Sequence, residues 1–258
     1  MREAGFLSGM VERVRRELLD QPLPEGNLLL RTRVAPPAVD FDAALRAPSL
    51  ALIAEVKRAS PSAGAIAEVD AGEQAERYDR AGAAAISVLT EPRHFNGSLA
   101  DLRSVRRRTA LPILRKDFLV HPAQVIESRA EGADAVLLIA AALSSAELAE
   151  LLAAVEELGM AALVEVHARP DLERALEAGG RIIGVNARDL ETLTVDTEGA
   201  LELAHEVPAD RILVIESGIA TREQVERAIE AGAHGILVGE ALMRSADPAR
   251  TVRALLGA

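Results

Sequence analysis

The stretch Leu50-Ala-Leu-Ile-Ala-Glu55-Val-Lys57-Arg-Ala-Ser60-Pro61 is an apolar run that ends in charge of both signs. Read as a strand, its period of two puts Glu55 and Lys57 side by side on one face, at the end of a segment whose other residues call for burial. A buried pair of this kind is costly unless it is used or compensated. A second stretch, Leu111-Pro-Ile-Leu-Arg-Lys116-Asp117-Phe118, repeats the design. Lys57 and Lys116 are the only lysines in the chain, and every other cation is arginine. Lysine is a compact charge whose pKa can be moved toward neutrality, which suits it to proton transfer. The alternative is two structural ion pairs, Lys57 with Glu55 and Lys116 with Asp117.

Outward from these stretches, apolar strands alternate with helices. The strands expected are Ala51–Lys57, Ala84–Leu89, Pro112–Lys116, Ala135–Ile139, Ala161–Val166, Ile182–Asn186, Ile212–Glu216 and Gly235–Gly239, starting roughly 20 to 30 residues apart as strand–loop–helix units require. Helix-end signals lie between them. Ser144-x-x-Glu147 and Thr221-x-x-Gln224 read as capping boxes, Pro170 and Pro248 occupy first-turn positions, and Gly82, Gly132, Gly159 and Gly232 fall where helices should stop. About eight such units predict an α/β fold, a (β/α)8 TIM barrel over residues 48–258. A doubly wound open sheet is the fallback, but neither G-x-G-x-x-G nor a P-loop pattern is present.

Before the barrel, Phe6, Leu7, Met10, Val11, Val14, Leu18 and Leu19 recur at helical spacing and predict an amphipathic helix. Pro22 and Pro24 stop it, Pro36-Pro37 mark an extended connection, and Asp40 caps a short helix through Leu45. Residues 1–47 are thus expected to be a helical extension packed on the barrel, with an independent partner-binding arm as the alternative.

Composition restricts the function. A net charge of −11 argues against nucleic acid and anionic membrane as partners, so an anionic small molecule needs a locally cationic site. With no cysteine, disulfides, thiolate catalysis and cysteinyl metal sites are excluded. The five histidines, among them His94 and His167, show no metal spacing. The first residues lack the apolar core of a signal peptide, and the apolar runs are too short to span a bilayer, so the cytoplasm is the expected location.

The polar residues have a direction. Glu55, Lys57, Lys116, Glu165, Asn186, Arg188 and Glu216 all fall at or just beyond C-terminal strand ends, which converge on one mouth in a barrel, while the N-terminal halves of the same strands are aliphatic. His167 follows Glu165 closely enough to orient it, or is a satisfied structural histidine. After the last two strands, Ser217-Gly218 and Gly239-Glu240 let backbone N–H groups approach a phosphate, helped by a helix dipole; the other reading is ordinary turn glycines. A carboxylate repels phosphate, so the Glu240 side chain should point away.

Together, Ile53-Ala-Glu-Val-Lys-Arg-Ala-Ser-Pro-Ser62, Ile86-Ser-Val-Leu-Thr-Glu91, Leu114-Arg-Lys-Asp-Phe118, Gly132-Ala-Asp-Ala-Val-Leu-Leu-Ile139, Gly184-Val-Asn-Ala-Arg-Asp-Leu190, Glu216-Ser-Gly-Ile219 and Leu237-Val-Gly-Glu240 resemble the indole-3-glycerol-phosphate synthase family. Ala63, where a lysine is frequent, and His94, where a second aromatic is usual, depart from the pattern in loops. The resemblance implies a carboxy-lyase of tryptophan biosynthesis. It would convert 1-(2-carboxyphenylamino)-1-deoxyribulose 5-phosphate to indole-3-glycerol phosphate, releasing CO2 and water without a cofactor. It further implies Lys116 as general acid and Glu165 as base, with Glu55 assisting and Lys57 meeting the substrate carboxylate and donating in dehydration. Asn186 and Arg188 would position the ribulose and the carboxylate, and Glu216 would bond the sugar hydroxyls. Ser60, Ser217, Gly218, Gly239 and Glu240 would form the phosphate region, and Pro61, Phe95, Phe118, Leu137 and Leu237 would wall the aromatic ring. The alternatives are another phosphosugar barrel of the phosphoribosyl isomerase type and a non-catalytic barrel scaffold.

Overall fold

The computed structural model describes residues 5–257, so residues 1–4 of the expected extension and residue 258 of the expected barrel lie outside the described residues. Three helices come first: α1 (Phe6–Asp20), α2 (Glu25–Val34) and α3 (Phe41–Leu45). Strand β1 (Ala51–Val56) follows, then a two-stranded antiparallel ribbon of β2 (Ala59–Ser60) and β3 (Gly64–Ala65). The remaining strands, β4 (Ala85–Leu89), β5 (Ile113–Lys116), β6 (Ala135–Ile139), β7 (Ala161–Val166), β8 (Ile182–Asn186), β9 (Ile212–Glu216) and β10 (Gly235–Val238), alternate with helices. They are α4 (Ala71–Arg80), α5 (Leu99–Arg106), α6 (Pro122–Ala130), α7 (Ser145–Glu157), α8 (Arg169–Glu177), α9 (Thr197–Ala204), α10 (Arg222–Glu230), α11 (Glu240–Met243) and α12 (Pro248–Leu256). Eight strands close in the order β1-β10-β9-β8-β7-β6-β5-β4, and every neighbouring pair is parallel. This is the (β/α)8 barrel, and four strands begin and end where the periodicity places them.

Period two explains the two cores. In β1, Leu52, Ala54 and Val56 pack outward against the helices, while Ala51 and Ile53 join the barrel interior. The same alternation in β9 sends Leu213 and Ile215 outward and Ile212 and Val214 inward. Ile53, Leu114, Leu163 and Val214, from the alternate strands β1, β5, β7 and β9, form one apolar layer of the interior. The helices end as their signals demand. Ser144 with Glu147 and Thr221 with Gln224 close reciprocal capping boxes, and Gly82, Gly132, Gly159 and Gly232 follow helices with φ between +65° and +98°.

The N-terminal helices touch both ends of the barrel. The first turn of α1 lies over the C-terminal mouth, where the Phe6 and Leu7 N–H groups donate to the carbonyls of Glu191 and Leu190 at 3.3 and 3.1 Å. Leu7 and Met10 are buried there; Leu19, expected on the same stripe, is 81% exposed because Leu18 takes the inward position. Helix α2 was not expected from the sequence: of its Leu28-Leu29-Leu30 run only Leu28 is buried, so its pattern selects no clear face. At the opposite end Phe41 and Leu45 of α3, capped by Asp40 as expected, plug the interior beneath Gly235.

Candidate active site

One residue pair beyond the apolar layer, the same four strands carry Glu55, Lys116, Glu165 and Glu216. Side chains that continue an apolar column into charge must partner one another, and they do. The Lys116 Nζ donates to Glu165 Oε2 at 3.0 Å and to Glu216 Oε2 at 2.8 Å. Lys57 Nζ lies 2.9 Å from Glu55 Oε1. The three carboxylates are 1–3% exposed. The site thus holds two lysine–carboxylate couples, one of them a lysine shared by two acids.

These contacts decide the protonation states. Burial by itself depresses an ammonium, but the carboxylates of Glu165, Glu216 and Glu55 outweigh it and raise the Lys116 pKa above the ordinary lysine value. The expectation that lysine is tuned toward neutrality is therefore reversed in the free site, because two acids lie within hydrogen-bond distance. The group tuned toward neutrality is Glu216: burial, opposed by Lys116 and reinforced by Glu165 and Glu55, raises it to about 7. Glu216 Oε1 and Glu55 Oε2 are buried without a protein donor. Such orphan acceptors are expensive in a finished core and suit a site that receives hydroxyl or N–H groups from a ligand.

Two glycines make the room. A Cβ on Gly184 of β8 would fall 2.2 Å from Glu216 Oε1, and one on Gly239 would fall 2.2 Å from Glu55 Oε1 and 3.1 Å from Lys57 Nζ. Glycine inside a strand marks such a close approach, so Gly184 was legible in principle, though only its motif and not its purpose was read.

Above the charged layer opens a cavity of about 440 Å³. Every sequence-predicted site residue lines it: Glu55, Lys57, Ser60, Pro61, Phe95, Lys116, Phe118, Leu137, Glu165, Asn186, Arg188, Glu216, Ser217, Gly218, Leu237, Gly239 and Glu240. Phe118 meets Phe95 at 6.4 Å and Phe6 at 6.2 Å between ring centroids, which makes one apolar end. Asn186 Oδ1 accepts from the Arg188 N–H at 2.9 Å, and Arg188 Nη1 donates to the Leu193 carbonyl at 3.0 Å, folding the loop after β8 over the cavity. At the other end Ser217 (φ +65°) and Gly218 (φ +73°) turn the backbone sharply after β9. Glu240 is engaged by Arg244, whose Nε donates to it at 2.9 Å. The helix that follows Gly239 has only four residues and contributes little dipole.

Two alternative readings fall away. Asp117 does not pair with Lys116: Arg115, pointing outward between β5 and α6, takes Asp117 at 3.0 Å and Glu127 at 2.9 Å. Successive strand residues face opposite sides, so Lys116 and Asp117 could not share a face. His167 does not orient Glu165; its Nδ1 is 2.9 Å from the Asn186 carbonyl and its Nε2 is 3.9 Å from Asp189, tying the ends of β7 and β8 together. Phe6, Leu190 and Val195 also line the cavity and were missed. Phe6 was read only as part of an amphipathic stripe. Among the described residues no group of three His, Asp or Glu side chains is arranged to hold a metal.

Comparison with known proteins gives the chain's family and its fold relatives. A family model described as indole-3-glycerol phosphate synthase matches residues 7–255. An indole-3-glycerol phosphate synthase from Rhodococcus jostii (strain RHA1) is 53% identical over 225 residues, covering 87% of this chain and 84% of the relative. One from Mycolicibacterium gilvum (strain PYR-GCK) is 47% identical over 261 residues, covering 100% of this chain and 96% of the relative. Among solved structures, a 3-hexulose-6-phosphate synthase superposes with a TM-score of 0.66 at 16% identity, covering 81% of this chain and 99% of that one. A thiamine phosphate pyrophosphorylase from Pyrococcus furiosus gives 0.60 at 18%, covering 82% and 95%. At such identities the structural likeness speaks for the barrel alone.

Proposed function

Since the chain belongs to the indole-3-glycerol phosphate synthase family, a family of decarboxylating lyases of tryptophan biosynthesis, we propose a division of labour for its site residues. The enzyme acts on a phosphorylated small molecule, closing 1-(2-carboxyphenylamino)-1-deoxyribulose 5-phosphate to indole-3-glycerol phosphate. The isomerase and scaffold alternatives are not favoured by that membership.

In the first step the ring carbon bearing the carboxylate attacks the ketone carbon, and the ketone oxygen gains a proton. Lys116, kept protonated by two carboxylates, is the acid. Loss of CO2 returns its bonding pair to the ring and restores the benzene sextet. Dehydration then removes a hydroxyl and a proton from adjacent carbons. Lys57, held by Glu55, gives the proton that turns the hydroxyl into water, and Glu165 takes the proton from carbon. Two protons are given and one is recovered, so each turnover takes up one proton as the carboxylate charge is lost. The steps are proton transfers, one carbon–carbon bond made and one broken, and the loss of one carbon–oxygen bond as water, with no net change of oxidation state.

Binding follows the same polarity. Arg188 and Lys57 face the carboxylate, Asn186 and the orphan acceptor on Glu216 take the sugar hydroxyls, and Phe95, Phe118, Pro61, Leu137 and Leu237 enclose the ring. Ser60 and the backbone at Ser217, Gly218, Gly239 and Glu240 receive the phosphate. Residues 1–47 serve as a helical extension packed on the barrel, and 48–258 as the catalytic barrel. The net charge of −11 disfavours nucleic acid and anionic membrane. Among the described residues no helix is long and apolar enough to cross a membrane. These features support an enzyme working on a free anionic phosphosugar in the cytoplasm.

The observation that carries the proposal is the single lysine shared by Glu165 and Glu216. A steady-state assay with the carboxyphenylamino-deoxyribulose phosphate, following indole absorbance without added metal or nucleotide, tests it. Turnover is the expected result, and a folded protein that gives none contradicts it.

A further inference from the structure

Glu91 is a buried acid that the reaction leaves unexplained. It ends the strand region of β4, is 2% exposed and does not line the cavity. Its carboxylate is nevertheless filled with donors. Oε1 accepts from Arg13 Nη2 at 2.6 Å and the Arg93 N–H at 3.1 Å; Oε2 accepts from the N–H groups of His94 at 2.7 Å and Phe95 at 3.3 Å. Its own carbonyl accepts from the Gly97 N–H at 3.0 Å, and Gly97 sits so close to β4 that a Cβ would fall 2.2 Å from the Leu89 carbonyl oxygen. One side chain therefore shapes the whole turn that carries Phe95.

The fourth donor comes from elsewhere. Arg13 is on α1, two turns after Phe6 and on the same side of the helix, and Phe6 meets Phe118 and His94 edge-on at 6.2 and 5.2 Å. A second bond between the same elements, Arg93 to Glu17 at 2.8 Å, is more than half exposed on both sides and holds little. The Arg13 side chain is only 19% exposed, and a charge-assisted bond at that depth is the strong one.

We propose that Glu91 is a positioning residue: its ion pair with Arg13 fastens the N-terminal helix to the Phe95 turn, and so fixes Phe6 and Phe95 against Phe118 as the apolar wall that receives the aminobenzoate ring. The proposal rests on the reading that this aromatic end binds the substrate ring. Glu91 touches no reacting atom, so its loss is felt in binding and not in the chemical step.

The test compares Arg13→Gln, Arg13→Lys, Glu91→Gln and Phe95→Ala with the wild-type enzyme. Arg13→Gln leaves every bond within the turn in place, so it keeps the test valid where Glu91→Gln loosens the loop. Arg13→Gln and Glu91→Gln should each raise KM on the order of tenfold with kcat within about threefold, and the double variant should be no worse than either. Arg13→Lys should recover most of the loss. Competitive inhibition by inorganic phosphate, which probes the opposite end of the cavity, should not change. If Phe95→Ala raises KM but both glutamine variants leave it alone, the clamp is wrong and the aromatic wall stands. If none of the three moves KM, the wall itself is wrong. If the glutamine variants weaken KM, kcat and phosphate inhibition together, Glu91 is merely structural and the proposal falls.

Discussion

Lys116 and Glu216 meet across the full width of the barrel. Their strands, β5 and β9, stand opposite each other in the ring of eight, yet Nζ and Oε2 are 2.8 Å apart. Two long side chains reach across the interior, and Gly184 leaves the space into which the Glu216 carboxylate folds. Lys116, the proposed acid, is thus held from two sides, by Glu165 two strands away and by Glu216 across the axis.

The Glu216 carboxyl, raised to about 7 chiefly by burial, links this contact to folding. A carboxyl with a folded pKa above its unfolded value, 4.5, binds more protons in the folded state. Its contribution is fully present below about pH 4.5 and is lost as pH rises through about 7. Lys116, raised above the ordinary lysine value, stays charged throughout this window and adds no slope there. Glu216→Gln removes the titration. The melting temperature of the variant minus that of the wild type should be more positive at pH 8 than at pH 5, and a difference independent of pH would contradict the assignment.

Gly184→Ala tests the space itself. The new Cβ would lie 2.2 Å from Glu216 Oε1 and 3.1 Å from Leu163 Cδ1, so the carboxylate must move off Lys116. Overpacking of this kind costs about 1–3 kcal/mol of stability. We expect kcat/KM to fall by roughly one to two orders of magnitude, more than the stability loss accounts for. Unchanged kinetics would show that the Glu216 position is not critical.

Arg115→Met separates scaffold from chemistry. Arg115 is 4% exposed and neutralises Asp117 and Glu127 while its Nε donates to Thr90 Oγ1 at 3.2 Å. Removing it strands two partly buried carboxylates and should cost about 3 kcal/mol in denaturant unfolding. The surviving folded enzyme should keep its pH–rate profile, and a changed profile would place Arg115 in the reaction.

Much of this was legible in the chain. The β1 and β5 stretches end in lysine because a strand that enters a barrel mouth passes from an apolar layer to the site within two residues, and that change of polarity is local. Strand ends at Ile139, Val166, Asn186 and Glu216 coincide with those read from alternation. What was not legible is what is far apart in sequence. Lys116 finds partners 49 and 100 residues away, so no local pattern names them, and the adjacent Asp117 offers only a false alternative. Helix α2 escaped because its leucines are consecutive, with only Leu28 buried, and form no stripe at helical spacing. Phe6 looked like any residue of an amphipathic stripe, since only the placement of α1 over the mouth turns it into part of the cavity.

The most direct test of the account is Lys116→Arg, assayed for kcat with the carboxyphenylamino-deoxyribulose phosphate and, separately, for substrate affinity. Arginine keeps the charge that Glu165 and Glu216 hold but cannot release a proton. If Lys116 is the acid, kcat falls on the order of 10²–10⁴-fold while binding largely survives. Turnover near that of the wild type would contradict the account and move the acid to another residue.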